Sequence, residues 1–128
     1  PVAYVFPAEL ESLAAKLGQH GIVVNTLQRS QEFKGEGFRV TEIAKQNFVQ
    51  NNHRNSRLLG SFEPQSKTFL TGDYYVPMDN RLANLIFYLL EPEADDGLAY
   101  WNLFDDYLQR ELENASMADY PVFKVLDR

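Results

Sequence analysis

The sequence predicts an α+β fold: a small mixed or antiparallel sheet packed with about three helices in a single domain spanning 1–128. Three observations carry this. Leu82, Leu85, Ile86 and Leu89 recur at helical spacing within Asp79–Leu108, the stretch that also holds the lone tryptophan and a dense acidic cluster. Short runs of β-branched and aromatic residues stand at both ends of the chain, Ala3–Phe6 and Val122–Val125. Between Arg29 and Val76, apolar residues alternate with polar ones and are punctuated by turn residues.

In chain order, Ala3–Phe6 reads as a strand, with Pro7 suited to the first turn of a helix. Leu10, Leu13, Ala14 and Leu17 form one helical face, and Gly18 and Gly21 offer a C-terminal break. Ile22, Val23, Val24 and Leu27 form the next strand, and strand–helix–strand suggests a parallel crossover. The turn after the first strand has no glycine-rich phosphate loop, so no dinucleotide site is indicated.

From Arg29 to Val76 the expectation is an antiparallel meander. Its turns are Gly35–Glu36–Gly37, Asn51–Asn52, Glu63–Pro64 and Thr71–Gly72–Asp73, and Lys45–Asn55 reads as a long polar loop. A helix over Asn80–Leu90 follows, with Asp79 in the N-cap position and Pro92 beyond its end. Ala83, Phe87 and Leu90 make its other flank apolar, which predicts cover on more than one side. Leu98, Trp101, Phe104, Leu108 and Leu112 mark a third helix. The closing strand alternates Val122 and Lys124 against Phe123 and Val125, with Pro121 confining it to a sheet edge or to a strand's beginning.

Composition narrows the function classes. The chain is 45% hydrophobic and 13% aromatic, enough to fill a core at 128 residues. Eighteen acidic residues against 12 basic ones give a net charge of −6, and no basic stripe exists to neutralise phosphates, which argues against nucleic acid. The longest apolar run, Leu82–Leu90, is about half of what a membrane-spanning helix needs. With no cysteine there is no disulfide, thiolate zinc site or cysteine nucleophile. The opening at Pro1, running straight into an apparent strand, reads as a piece excised from a longer protein.

The residues that carry chemistry are few. His20 and His53 are the only histidines, and neither sits in an HxxH, HxxE or HExxH arrangement. His20 lies at a helix end, where the dipole explains it. His53, Arg54 and Arg57 form a basic turn, either plainly solvated or able to grip a carboxylate through arginine forks. Glu91, Glu93, Asp95 and Asp96 lack the alternation and glycine of a calcium loop and read as a solvated turn before a helix. Asp105 and Asp106 share a helix surface with Arg110 as an exposed ion pair. Tyr74, Tyr75 and Trp101 are candidate binding aromatics whose plainer role is packing. No serine has a nucleophile-elbow setting, no carboxylate is forced into an apolar pocket, and no catalytic or metal-ligating set emerges.

Leu89–Leu108 (LLEPEADDGLAYWNLFDDYL), preceded by GDYYVPMDNRLANL and followed by ADYPVFKV, resembles the C-terminal region of bacterial zinc carboxypeptidases of the carboxypeptidase A type. The opening AYVFPAELESLAAKLGQHGIVVNTL is similar to the start of that region, directly after the catalytic domain. In such enzymes one zinc is held by an HxxE pair and a distant histidine, with a glutamate base. None of these motifs is matched here, and Glu42 is not carried over as the base. The resemblance therefore implies a non-catalytic C-terminal accessory domain whose partner is an upstream peptidase domain of the same polypeptide. Zinc would belong to that parent domain and not to this chain, and the parent would be periplasmic or secreted. Two other readings stand beside it. One is an independent module that takes a peptide or glycan through Trp101, Tyr74, Tyr75 and the Arg54–Arg57 turn; the other is a self-contained hydrolase with a scattered site.

Overall fold

The structure, a computed structural model, describes residues 1–45, 56–92, 105–112 and 118–127. It is an α+β chain dominated by a seven-stranded antiparallel sheet, with three α-helices among the described residues. The strands are β1 (Ala3–Phe6), β2 (Asn25–Thr26), β3 (Gln31–Lys45), β4 (Ser56–Phe69), β5 (Tyr74–Pro77), β6 (Ala118–Asp119) and β7 (Phe123–Asp127). The helices are α1 (Glu11–Gln19), α2 (Ala83–Leu90) and α3 (Asp105–Leu112). Two compact units divide the chain. Unit 1 holds Pro1–Gly37, Pro64–Ile86 and Pro121–Arg128, and unit 2 holds Phe38–Glu63 and Phe87–Tyr120.

Unit 1 begins with β1, whose residues are all buried. Successive strand residues face opposite sides, so Ala3 and Val5 point one way and Tyr4 and Phe6 the other. Strand β1 lies between β5 and β7, with Val5 opposite both Tyr75 and Phe123. A short 3-10 turn, Ala8–Leu10, leads into α1, which buries Leu13 and Leu17. The helix closes on Gly21 at φ 77°, where Ile22 N–H reaches the Leu17 carbonyl at 3.1 Å and Gly21 N–H the Gly18 carbonyl at 3.0 Å. This is the Schellman arrangement, and the buried pair Leu17 and Ile22 completes it.

Ile22–Val24 therefore do not form the expected strand: Ile22 is consumed by the helix cap, and Val23 stays 59% exposed. The strand is reduced to Asn25–Thr26, which pairs with β5 rather than β1. Both β1 and β2 run antiparallel to β5, so they run parallel to one another with β5 between them. The crossover direction matches the expectation; its neighbour does not. Asp73 ties the two ends of this arrangement together. Its carboxylate accepts from Ala8 N–H at 2.9 Å and from Leu70 N–H at 2.8 Å.

The meander expectation holds for β3 and β4, which are neighbours in the antiparallel sheet, and fails in its turns and beyond them. Strand β3 runs through Gly35–Glu36–Gly37 and β4 through Glu63–Pro64, where turns were expected. Gly35 marks a bulge instead: Lys34 faces Asp127 and Gly35 faces Val125, leaving Leu126 over. Pro64 lies on β4, the last strand in the order β2-β5-β1-β7-β3-β4, and proline within a sheet is confined to such edge strands. Thr71–Gly72–Asp73 is a true turn, with Gly72 at φ 93°. Strand β5 then pairs with β1 and β2 rather than with β4. Asn51–Asn52 and most of the Lys45–Asn55 loop lie outside the described residues.

Helix α2 starts at Ala83, three residues later than expected, because residues 79–82 form a turn held by Asn80 rather than a first helical turn capped by Asp79. The Asn80 side-chain oxygen accepts from Leu82 N–H at 2.8 Å, and its amide donates to the Pro77 carbonyl at 3.0 Å. The anticipated cover on both flanks is partial. Ile86 and Leu90 are fully buried, while Phe87 and Tyr88 are 46% and 43% exposed. Of the third helix only Asp105–Leu112 is described, with Leu108 buried and Arg110 lying over the Tyr107 ring at 5.6 Å. The closing strand β7 is central, between β1 and β3, and Pro121 stands just ahead of it.

In unit 2, β6 pairs with β3 through Arg39–Asp119 and Val40–Ala118. Arg39 Nε lies 3.3 Å from Glu63 Oε2 and 3.6 Å from Asp119 Oδ1, so one guanidinium is held by a carboxylate on either side. Tyr120 is the buried polar anchor of this unit. Its N–H donates to the Phe38 carbonyl at 2.8 Å, its hydroxyl donates to the Leu90 carbonyl at 2.7 Å, and its ring meets Phe38 edge-on. Glu91, expected to be solvated, is 7% exposed.

Burial first, and the Glu91 carboxylate second, push the Tyr120 phenol well above its ordinary range. A phenol that keeps its proton in the folded state stabilises the fold fully below the unfolded pKa of about 10, and that contribution falls as pH rises beyond it. Stability measured by urea denaturation is thus expected to fall more steeply above about pH 10 in the parent chain than in Tyr120→Phe. At neutral pH the variant is expected to lose about 1–2 kcal/mol with its hydrogen bond. Parallel pH profiles for the two proteins would contradict this assignment.

Candidate functional site

The inward face of unit 1 gathers Ala3, Val5, Phe33, Phe69, Phe123 and Val125 into one buried cluster, with Val2, Leu27 and Tyr75 packed against it. These residues come from strands that are neighbours in the sheet, and the registers place them on one face. Tyr75 and Phe33 belong to β5 and β3, three strand spacings apart, which on a flat sheet is about 14 Å. Their ring centroids are 5.9 Å apart. The sheet of unit 1 is therefore curled, and these two rings meet over β1 and β7. Phe69 sits beside both Phe33 and Phe123, at 6.2 Å and 5.9 Å, and continues the aromatic layer.

At one end of this face the curl opens into a cleft of about 460 Å³. Four chain segments bring residues to it: the beginnings of β1 and β3, the end of β5 with the residues after it, and β7. Val2, Val125 and Pro77 give apolar surface, and Phe33 and Tyr75 give aromatic surface. Glu32, Asp79, Lys34 and Gln31 are the polar residues lining it. Glu32, Lys34 and Asp79 are exposed, whereas Phe33 is only 6% exposed. The volume lies within the range typical of small-ligand sites.

Of the binding candidates read from sequence that lie among the described residues, Tyr75 is placed in the cleft. Tyr74 is its strand neighbour and points the other way, beside Phe6 at 5.2 Å. Arg57 stands within β4 rather than in a turn, and His53, Arg54 and Trp101 lie outside the described residues. His20 caps the C-terminus of α1, in keeping with its helix-end reading. The sequence reading missed Phe33, Glu32 and Asp79. With Gly35–Glu36–Gly37 read as a turn, nothing local marked Phe33 as part of a long strand or showed which distant residues its face would meet. Among the described residues, no group of three His, Cys, Asp or Glu side chains is placed to hold a metal ion, and no helix is long and apolar enough to cross a membrane. In comparisons with known proteins, no family model matches the chain, and no curated protein or solved structure matches it either.

Proposed function

We propose that this chain is a non-catalytic accessory domain that attends a zinc metallocarboxypeptidase and positions a stretch of peptide substrate in the cleft of unit 1. The peptidase part of this reading is supported by the resemblance of Leu89–Leu108 and its flanks to the C-terminal region of such enzymes. The cleft carries the binding part: an apolar and aromatic surface of about 460 Å³, edged by polar residues, at the open end of a curled sheet. A peptide suits it better than a glycan. Sugars stack on an open aromatic face, whereas Phe33 is 6% exposed and turned into the cluster. A side chain reaching down onto Val2, Val125 and the edges of the two rings matches the lining better.

Titrating the isotope-labelled chain with a pool of unstructured decapeptides tests the binding. Amide shifts are expected at 31–34, 75–79 and Val125, and Tyr75→Ala is expected to weaken them severalfold. Unmoved spectra at millimolar peptide would overturn the binding role, and peptide hydrolysis by the chain alone would overturn the non-catalytic one. Fused to a zinc carboxypeptidase catalytic domain, the chain is expected to lower KM for a decapeptide while leaving that for a dipeptide unchanged. Equal effects on both substrates would remove the positioning role.

A further inference from the structure

Resting on the peptide-binding reading above, we infer that the cleft selects a lysine or arginine side chain of the peptide it holds. The chemistry of the lining has two levels. Val2, Val125 and Pro77 offer aliphatic surface, and Phe33 and Tyr75 offer rings that meet at 5.9 Å. Glu32 and Lys34 alternate with Phe33 along β3 and so reach the cleft only at its exposed rim, where with Asp79 they set two carboxylates against one ammonium. The lining is therefore net negative, in a chain whose net charge is −6.

A long cationic side chain matches both levels at once. Its methylene stem covers apolar surface while its charged head stays near water and carboxylates. A guanidinium or ammonium beside Tyr75 also gains from the negative face of the ring. An uncharged aliphatic side chain would cover the same surface and leave the carboxylates partly desolvated without a new partner. An acidic side chain would meet like charge. Lys34 opposes the preference, so its removal should sharpen it.

Three N-acetylated, C-amidated pentapeptides, with lysine, norleucine or glutamate between paired alanines, provide the test by chemical-shift titration of the intact chain. The lysine peptide is expected to bind about tenfold more tightly than the norleucine peptide at low salt. The glutamate peptide should be weakest, and the lysine advantage should shrink at about 0.5 M salt. Glu32→Gln and Asp79→Asn are expected to erase most of that advantage while leaving norleucine binding in place, and Lys34→Gln to enlarge it. Both carboxylates are exposed, so the variants should fold, which the amide dispersion of each confirms. Norleucine binding equal to or tighter than lysine would overturn the charge selection and leave the peptide site standing. Binding of none of the three would remove the peptide site itself, and the inference with it.

Discussion

Replacing Gly35 with alanine is expected to destabilise the chain by about 3 kcal/mol, among the largest losses from adding one methyl group to this molecule. Gly35 faces Val125 at the bulge between β3 and β7, where the two backbones approach closely. A Cβ on Gly35 would fall upon the Lys124 carbonyl oxygen and lie 3.0 Å from the Leu126 nitrogen. Those atoms are backbone and cannot rotate aside, so relief requires moving a central strand. Gly60 has the same relation to the Arg39 carbonyl within unit 2. Gly18 supplies the opposite control. It lies inside α1 with nothing within 4 Å of its added Cβ, so Gly18→Ala should stabilise by up to about 1 kcal/mol. Urea denaturation reads both as shifts in midpoint at constant slope. A Gly35→Ala midpoint within error of the parent's would show that the bulge absorbs a methyl group.

The same glycine shows why the sequence was legible in some places and opaque in others. Strand β1, helix α1 and strand β7 were readable because their signals are local: an apolar run, a helical period with a glycine stop, and a two-residue alternation. Gly35–Glu36–Gly37 and Glu63–Pro64 look like turns by the same local rules and are strand interiors here. Gly35 is small because the Lys124 carbonyl approaches it, and Gly60 because the Arg39 carbonyl does. Both reasons come from strands distant in sequence. Helix α2 begins at Ala83, after an Asx turn in which Asn80 accepts from Leu82 N–H, and composition does not distinguish that turn from a helix capped at Asp79. The cleft was the least legible feature. Val2, Phe33, Tyr75 and Val125 are spread over nearly the whole chain, and only the strand order brings them to one opening.

Phe33→Ala is expected to cost about 3–5 kcal/mol, more than any single change to the cleft's polar lining. Phe33 is buried, belongs to the cluster on the inward face, and touches both Phe69 and Tyr75. Removing its ring leaves a cavity where three strands' side chains converge and frees Tyr75 from the contact that accompanies the curl. For a chain of 128 residues the loss corresponds to a fall in Tm of about 10–20 °C. The coupling can be measured separately from the cavity. In a double-mutant cycle, Phe33→Leu and Tyr75→Leu should be less costly together than the sum of their separate effects, by about 0.5–1.5 kcal/mol for the aromatic pair. Additive effects would mean that the two rings are merely neighbours and that the curl is set by the bulge at Gly35 alone. A measured coupling would make the ring pair a structural brace as well as a wall of the cleft. Peptide affinity would then fall with Phe33→Leu even though Phe33 is nearly inaccessible, because the opening depends on how tightly β5 and β3 are drawn together.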